Sequence, residues 1–477
     1  MAVYSEPDIE LKHVVEADEA YAIGPGPPSQ SYLNIDSVVT AARKSGAEGV
    51  HPGYGFLAEN PELAKSCEES GLVFIGPPSK ILAHVANKLE SKKVVADAGI
   101  PVIPGSQDQV STEESAQKEA FRIGFPVLIK AVYGGGGRGM RIVRAAGELR
   151  SALERARTEA ETAFGRPELY IEKYLEEPRH IEVQLLAGRK GKIVHLGERE
   201  CSLQRRYQKI LEETPSPVLA EADREALVGL ALKVARVTNY ENAGTMEFVR
   251  ARTGEVYYME TNKRIQVEHL ITEMVTGVDI VEEQLNIASG EDLNLSQSEV
   301  KFTGSALNCR INAEDPTRGF TPTPGRVTKF AAPGGPGVRV DSALFDGCPV
   351  PEYYDSLIAK LACQGQNRRQ AIERMRVALG EMIVDGVETT IPVHEMLVEN
   401  PMFLNGDYHT QLLDDLLTDW HASPQLSPQE AGVVYVSLRN QVLSGSHRSS
   451  TPVQASKWRT GPQPFSPKRR GFYVEGL

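Results

Sequence analysis

The chain has 477 residues, a formal net charge of −12, 41% hydrophobic residues and 24% charged residues. That length is too great for one hydrophobic core, so about three domains are expected. The acidic balance excludes generic binding to nucleic acid or anionic membrane, while leaving room for a local basic site. No run of about 18 apolar residues occurs, so no membrane-spanning helix is predicted. The opening MAVYSEPDIELKH lacks the apolar centre of a signal peptide. The cysteines Cys67, Cys201, Cys309, Cys348 and Cys363 show no CxxC or Cys/His spacing, which predicts a reducing, cytoplasmic compartment and no zinc site.

In chain order, residues 2–5 read as the end of a strand followed by a charged loop. Helix 35–45, strand 48–50, helix 61–70 and strand 72–75 then alternate, the pattern of a parallel α/β sheet. Such a sheet ordinarily opens with its own strand and helix, and none precedes Ala2. An incomplete N-terminal α/β domain is therefore expected over 1–84. Residues 81–98 read as one helix, and PVIPG at 101–105 as an extended connector. A compact unit follows: helix 112–123, strand 126–131, a glycine loop, strand 140–144, helix 147–164 and strand 168–173, with Gly165 and Pro167 stopping the long helix. Further strands are predicted at 180–186, 192–196, 244–249, 256–260, 305–311 and 326–331, and helices at 221–238, 279–288 and 368–382. From about Ser423, Ser, Pro, Gln and Arg accumulate, so 418–477 is expected to be a linker or loose tail. No repeat of solenoid length is present.

The glycine loop, KAVYGGGGRGM from Lys130 to Met140, formally contains G-x-G-x-x-G. A dinucleotide fingerprint needs a strand before the glycines and a helix opening within them. Here the segment after the glycines, MRIVR, alternates and is β-branched, so it reads as a second strand. The unit is a hairpin with a glycine tip, and no Gly-Lys-Ser/Thr of a P-loop is present. Such a tip can close its N–H groups over a triphosphate, with Lys130 beneath it, or can be a hairpin with no ligand. The residues alone leave both open.

A second constellation joins Glu247 to the segment YYMETNKRIQVEH at 257–269. In an extended segment Glu260, Asn262, Arg264, Gln266 and Glu268 share one face, and Thr261, Lys263, Ile265 and Val267 the other. Glu247 comes within reach of Glu260 if the two strands pair. Two carboxylates and an amide oxygen are hard ligands suited to Mg²⁺ shared with phosphates. Arg264 and Gln266 suit a small oxyanion, and Glu268 is a candidate general base. The competing reading is a solvated edge-strand face. A third segment, RECSLQRRYQK at 199–209, reads as an exposed basic loop that can also help hold an anion.

Taken together, HPGYGFL at 51–57, GGGGRGM, EKYLEEPRHIEVQ, QRRYQK, RIQVEH and CRINAEDP closely resemble the biotin carboxylase family, over about residues 2–417. These are the ATP-grasp enzymes of acyl-CoA carboxylases and pyruvate carboxylase. The resemblance implies an α/β chain with a truncated Rossmann-like N-terminal domain, an ATP-grasp domain over 85–302 with a β-hairpin lid at about 106–174, and a mixed α+β C-terminal domain over 303–417. It implies that bicarbonate attacks ATP to give carboxyphosphate, which delivers CO₂ to biotin on a carrier protein.

By the same resemblance, Lys88 and Lys130 contact phosphates beneath a tip made of Gly134, Gly135, Gly136, Gly137 and Gly139. Met140, Glu172, Lys173, Leu175, His180, Gln204 and Tyr207 surround the nucleotide. Glu247, Glu260 and Asn262 take the metal, Mg²⁺ or Mn²⁺. Lys209, Arg264, Gln266 and Val267 hold bicarbonate, Glu268 deprotonates it, Arg310 stabilises the biotin enolate, and Tyr54 lies where biotin approaches. Implied partners are a biotin carrier, a carboxyltransferase and a second copy of the chain.

Four departures from the family pattern stand out. The Asn-Arg-Gly-Glu-Ile-Ala run and its strand-helix unit are absent, Tyr207 replaces a histidine, Thr261 and Lys263 replace apolar or small residues, and Ala86-Asn87-Lys88 replaces Gly-Asp-Lys. Other readings are a different ATP-grasp ligase, or a nucleotide-binding assembly component without turnover. No Ala-Met-Lys-Met-like biotinylation motif occurs, so the carrier is expected outside this sequence. The expected final acceptor is an acyl-CoA, with pyruvate the alternative.

Overall fold

The strand Arg179–Ala187 shows how the central sheet arises. Ile181, Val183, Leu185 and Ala187 alternate with His180, Glu182 and Gln184, so opposite faces carry opposite chemistry. The apolar face packs against Leu227, Ala231 and Val234 of helix Glu221–Val237, and every residue of the strand is buried. The polar face is thereby forced into an interior wall.

The computed structural model describes residues 1–84, 88–133 and 140–418. Its main sheet has eight strands, each antiparallel to its neighbours. Their spatial order is Val256–Asn262, Asn242–Arg250, Arg179–Ala187, Ile193–Arg205, Gln208–Thr214, Ser305–Asn312, Leu357–Gly365 and Val338–Ser342. Strands from both sides of residue 302 thus share one sheet. The expected short strand at 192–196 runs on to Arg205, and the expected basic loop at 199–209 is two paired strands joined at Arg206 and Tyr207. Both turn residues have positive φ, 48° and 67°. The reason for the difference is local: charged residues in a strand buried on both faces mimic a solvated segment.

A register shift between Lys209 and Leu211 interrupts the pairing with Ile193–Arg205. Lys209 and Glu212 have opposite parity, yet both reach the same interior wall. A bulge is what re-aims a side chain in this way.

The N-terminal segment carries two parallel pairs, Ala2–Ser5 with Ala20–Gly24 and Gly49–Val50 with Val73–Phe74. Helices Ile35–Lys44 and Pro61–Glu69 start at Asn34 and Asn60, whose side chains accept from backbone N–H groups of the first turn. Helix Lys12–Glu16 and strand Ala20–Gly24 occupy the expected charged loop. They are short and lack a period, and Gly24-Pro-Gly-Pro-Pro28 dominates the local signal. The helix expected over 81–98 is described as Ser79–His84 and Lys88–Asp97.

The hairpin of the glycine loop is real in its flanks: Val127–Ala131 pairs antiparallel with Arg141–Val143 and with Leu169–Lys173. Helices Glu113–Ile123 and Leu149–Phe164 cover this small sheet with Ala116, Ala120, Ala152, Ala156 and Ala160, which let helix and strand approach closely. Gly165 ends the second helix in the left-handed region at φ 67°. The extended connector ties the two sheets together, since Val102 bridges to Tyr258 and Gly105 to Glu172. The glycine tip, Gly134 to Gly139, lies outside the described residues, as does the tail beyond Thr418.

On strand Ser305–Asn312, Leu307, Cys309 and Ile311 enter a core with Ala371, Ile372 and Met375 of helix Arg368–Glu381 and Val393 and Leu397 of helix Ile391–Glu399. Arg310 is left on the opposite face. Its carbonyl accepts from His394 Nε2 at 2.7 Å. The strand expected at 326–331 is divided into Gly325–Arg326 and Lys329–Ala331, with separate partners. All five cysteines are buried and free, and no described helix is long and apolar enough to cross a membrane.

Leu361→Ala, in the C-terminal core at 0% exposure, is expected to cost about 2–5 kcal/mol of stability in denaturant titrations. Val15→Ala, at 73% exposure, is expected to change it by less than about 0.5 kcal/mol. Burial lowers the fully buried His394 to about 4, opposed by its bond to the Arg310 carbonyl. The unfolded chain therefore binds the extra proton first, and stability present above about pH 6.5 falls as pH drops toward 4, by up to about 3 kcal/mol. His394→Gln, which keeps a donor for that carbonyl, is expected to flatten the stability profile between those pH values.

Candidate functional site

A cleft of about 1030 Å³ opens between the small lid sheet, the main sheet and the N-terminal segment. Tyr54 lines it from the N-terminal side, Lys130, Met140, Glu172, Lys173 and Leu175 from the lid side, and His180, Gln204 and Lys209 from the main sheet. Tyr207 lines it from the turn, Glu247, Glu260 and Asn262 from the edge hairpin, Arg264, Gln266, Val267 and Glu268 from the segment after it, and Arg310 from the C-terminal strand. Side chains from Tyr54 to Arg310, far apart in sequence, thus face one space. Lys88 begins the helix Lys88–Asp97, but its side chain lies outside what is described.

Charge organises the floor. Lys209 Nζ donates to Glu182 Oε2 at 2.6 Å, Glu268 Oε1 at 2.7 Å and Glu247 Oε1 at 3.0 Å. Burial alone would discharge this ammonium, but the surrounding carboxylates outweigh it and hold its pKa well above the usual lysine range. Beneath it lies Arg199, with no exposed surface. Its guanidinium donates to Glu182 at 2.6 Å, Gln184 at 2.8 Å, Thr272 at 3.0 Å, Thr245 at 3.2 Å and Gln266 at 2.6 Å. All five of its N–H groups find acceptors, which is what makes a buried arginine tolerable. The expected exposed loop thus contains one of the most deeply buried side chains in the protein.

Glu268 sits at the junction of the network. Its Oε1 accepts from Lys209, and its Oε2 accepts from Arg310 Nη2 at 2.8 Å. Burial pushes its carboxyl up, yet Lys209, Arg310 and Arg199 together hold it well below the ordinary carboxylate range. Arg310 Nε donates to Glu212 at 2.6 Å, and Asn308 donates to the other oxygen of Glu212 at 2.7 Å. Sequence reasoning assigns no role to Glu182, Arg199 or Glu212. The period-2 row His180-x-Glu182-x-Gln184 is a usable signal for the first; the bulge hides the third.

On the edge hairpin Glu247 stands directly opposite Glu260. Asn262 donates to Glu247 Oε1 at 2.6 Å, Gln266 to the same oxygen at 3.1 Å, and His180 Nε2 lies 3.2 Å from Oε2. Burial raises the Glu247 carboxyl, but Lys209 and His180 hold it well below its usual range, so it is an anion. Two carboxylates and an amide oxygen on paired strands are a donor set that fits a hard divalent cation. His180, Glu182 and Glu247 also bring donor atoms within 4.8 Å of one another, but Glu182 is already bonded by Arg199 and Lys209.

The uniform strand face expected from Glu260 to Glu268 is corrected at its C-terminal half. The strand stops at Asn262, and 263–268 is irregular before helix His269–Thr276. Gln266 and Glu268 reach the floor by a turn of the chain rather than by pleat. Arg264 lies 3.5 Å from Glu59 and donates to the Ile265 carbonyl at 3.1 Å. Thr261 and Lys263 border the cleft but direct their polar ends away from the row: the threonine hydroxyl meets Tyr258 at 2.8 Å, and Lys263 Nζ donates to the Leu82 carbonyl at 3.1 Å.

On the lid side Lys130 Nζ is 2.7 Å from Glu172 Oε2, and Lys92 Nζ donates to the other Glu172 oxygen. Lys92 escapes sequence reasoning because LESKKVVAD resembles a solvated helix face. Lys173 directs its ammonium to the carbonyls of Gly124 and Phe125, both at 3.0 Å. Gln204 Nε2 meets His180 Nδ1 at 2.6 Å, fixing the ring beside Glu247. Tyr207, at 45% exposure, projects from the hairpin tip.

Known proteins share this architecture. Residues 1–82 match the family model of the biotin carboxylase N-terminal domain, 87–296 that of the carbamoyl-phosphate synthase L chain ATP binding domain, and 308–415 that of the biotin carboxylase C-terminal domain. The chain is 50% identical over 415 residues to a pyruvate carboxylase subunit of Methanothermobacter thermautotrophicus, covering 87% of this chain and 84% of that one. It is 48% identical over 415 residues to biotin carboxylase 1 of Bacillus subtilis, covering 87% and 92%. A biotin carboxylase–beta-gamma-ATP complex from Campylobacter jejuni superposes with a TM-score of 0.84 at 43% identity, over 87% of this chain and 92% of that one. The biotin carboxylase domain dimer of Hydrogenobacter thermophilus 2-oxoglutarate carboxylase, solved with MgADP, ADP and bicarbonate, gives 0.85 at 46% identity, over 88% and 93%. With about half its residues shared over nearly the whole length of such relatives, the chain belongs to the biotin carboxylase family.

Proposed function

We propose that this chain carboxylates biotin on a carrier protein, using ATP and bicarbonate, through carboxyphosphate. The observation that carries the reading is Glu268, a buried carboxylate clamped between Lys209 and Arg310 beside the Glu247–Glu260–Asn262 donor set. Bicarbonate is held by Lys209, Arg264, Gln266 and Val267, and Glu268 removes its proton. Clamped by two cations, Glu268 is a poor base in the free protein. An anion that draws Lys209 and Arg310 toward itself takes neutralising charge away from Glu268, so its proton affinity rises only when the substrate is in place.

Lys130 leaves Glu172 for the phosphates of ATP, with Lys88, the glycine tip, Met140, Leu175, His180, Gln204 and Tyr207 completing the nucleotide site. Glu247, Glu260 and Asn262 would hold a divalent cation, which would supply neutralisation of the phosphate charge. Attack of the bicarbonate oxygen on the γ-phosphorus releases ADP and forms carboxyphosphate, which a closed lid keeps from water. Biotin enters past Tyr54; carboxyphosphate breaks its C–O bond to give CO₂ and phosphate, the released phosphate takes the ureido N–H proton, and Arg310 stabilises the resulting enolate as its nitrogen bonds to CO₂. The partners are a biotin carrier and a carboxyltransferase. Relatives named for pyruvate and for 2-oxoglutarate lie at 50% and 47% identity, so the acceptor chemistry resides in another domain, and an acyl-CoA is one candidate among several.

Purified chain is expected to hydrolyse ATP only with bicarbonate, and faster on addition of free biotin; nucleotide binding without that turnover would sink the reading in favour of an assembly component. Glu268→Gln is expected to lower kcat by about 10²–10⁴-fold in the same assay while nucleotide affinity by calorimetry persists. Glu247→Gln is expected to raise the Mg²⁺ concentration needed for half-maximal rate by about tenfold or more, read from a metal titration after chelation.

A further inference from the structure

Lys360 is a lysine in the middle of the strand Leu357–Gly365, next to the sheet's edge strand, at 7% exposure and on the face it shares with Arg310. In the sheet it stands directly beside Arg310 on one side and Asp341 on the other. Its ammonium lies 3.2 Å from Asp341 Oδ2 and 5.5 Å from the centroid of the Tyr54 ring. Asp341 is not its private counter-ion, because the same carboxylate accepts from Arg339 at 2.8 and 2.9 Å. Arg310, the neighbouring cation, is taken up by Glu212 and Glu268. A nearly dry ammonium with a shared carboxylate gains from the negative face of an aromatic ring.

Tyr54 needs such a seat. It is 40% exposed at the cleft mouth, on a short loop that turns at Gly53 with φ 68°. The base of the loop is pinned by His51, which accepts from Gly53 N–H at 3.0 Å and meets Gln284 at 3.3 Å. Neither bond sets the direction of the tyrosine ring.

We infer that Lys360 is a positioning residue that holds the Tyr54 ring in place as one wall of the seat for the flat ureido ring of biotin. The inference rests on the reading that biotin enters at this mouth. A ring fixed beforehand loses no rotational freedom when a planar ligand stacks on it, so the effect falls on biotin affinity rather than on the chemical step.

The test is steady-state kinetics with free biotin on the full chain. Lys360→Met keeps the stem and removes the charge; it is expected to raise the KM for biotin about tenfold, with kcat at saturating biotin changed less than about threefold. Lys360→Arg, which retains a cation over the ring, is expected to restore KM. In a Tyr54→Leu background Lys360→Met is expected to add nothing, since no ring remains to hold. If Lys360→Met does not fold, the ring is altered instead: Tyr54→Phe is compared with a trifluorinated phenylalanine at the same position, whose depleted face is expected to raise KM. An unchanged KM in Lys360→Met, effects that add in the double variant, or indifference to fluorination overturns the inference. Wild-type chain lacking any biotin-stimulated turnover overturns the functional reading and this inference with it; active wild type with an unchanged KM in the variant overturns this inference alone.

Discussion

The molecule depends on one buried ammonium. Lys209 binds Glu182, Glu247 and Glu268, which come from two strands of the main sheet and the loop that opens helix His269–Thr276. In a low-dielectric interior such a cluster is stable only as a whole: removing one partner of a buried pair costs about 3–5 kcal/mol, since the other charge is left unpaired. Arg199 supports it from below with five hydrogen bonds. The groups that face the cleft are therefore held in place before any substrate arrives, which is the arrangement that electrostatic catalysis favours.

The lid side is built differently. There Glu172 balances Lys92 and Lys130, one carboxylate shared by two cations at the edge of a three-stranded sheet. In the proposed reaction a polyphosphate replaces that carboxylate by side-chain movement, whereas the Lys209 cluster is tied to two strands of the main sheet. A rigid floor and an exchangeable roof suit a reaction whose intermediate must be sheltered from water.

Much of this is legible in local pattern. Strand, glycines, strand reads as a hairpin rather than a dinucleotide-binding turn, and Val127–Ala131 does pair with Arg141–Val143. Pairing of Glu247 opposite Glu260 follows from two alternating segments joined by a short turn. Parity then fails at Lys263, because nothing local says where a polar strand stops; the strand leaves the sheet at Asn262, opposite Thr245, although its partner runs on to Asn242. Arg199 is illegible for a related reason. A charged residue looks like surface to any local rule, and only the acceptors gathered from Glu182, Gln184, Thr245, Gln266 and Thr272 offset the cost of its burial.

By itself the sequence determined the chemical kinds available to the site: hard oxygen donors, cations, a carboxylate and a glycine run, because those are properties of side chains and of spacing within a strand or hairpin. It also determined the alternation that sends Leu307, Cys309 and Ile311 into a core and leaves Arg310 on the other face. Only the tertiary structure decided which charges neutralise one another. The contacts of Lys209 with Glu182, Glu247 and Glu268 and the meeting of Glu268 with Arg310 all join residues far apart in the chain. Their energies depend on distance and burial, and neither is written in any local pattern.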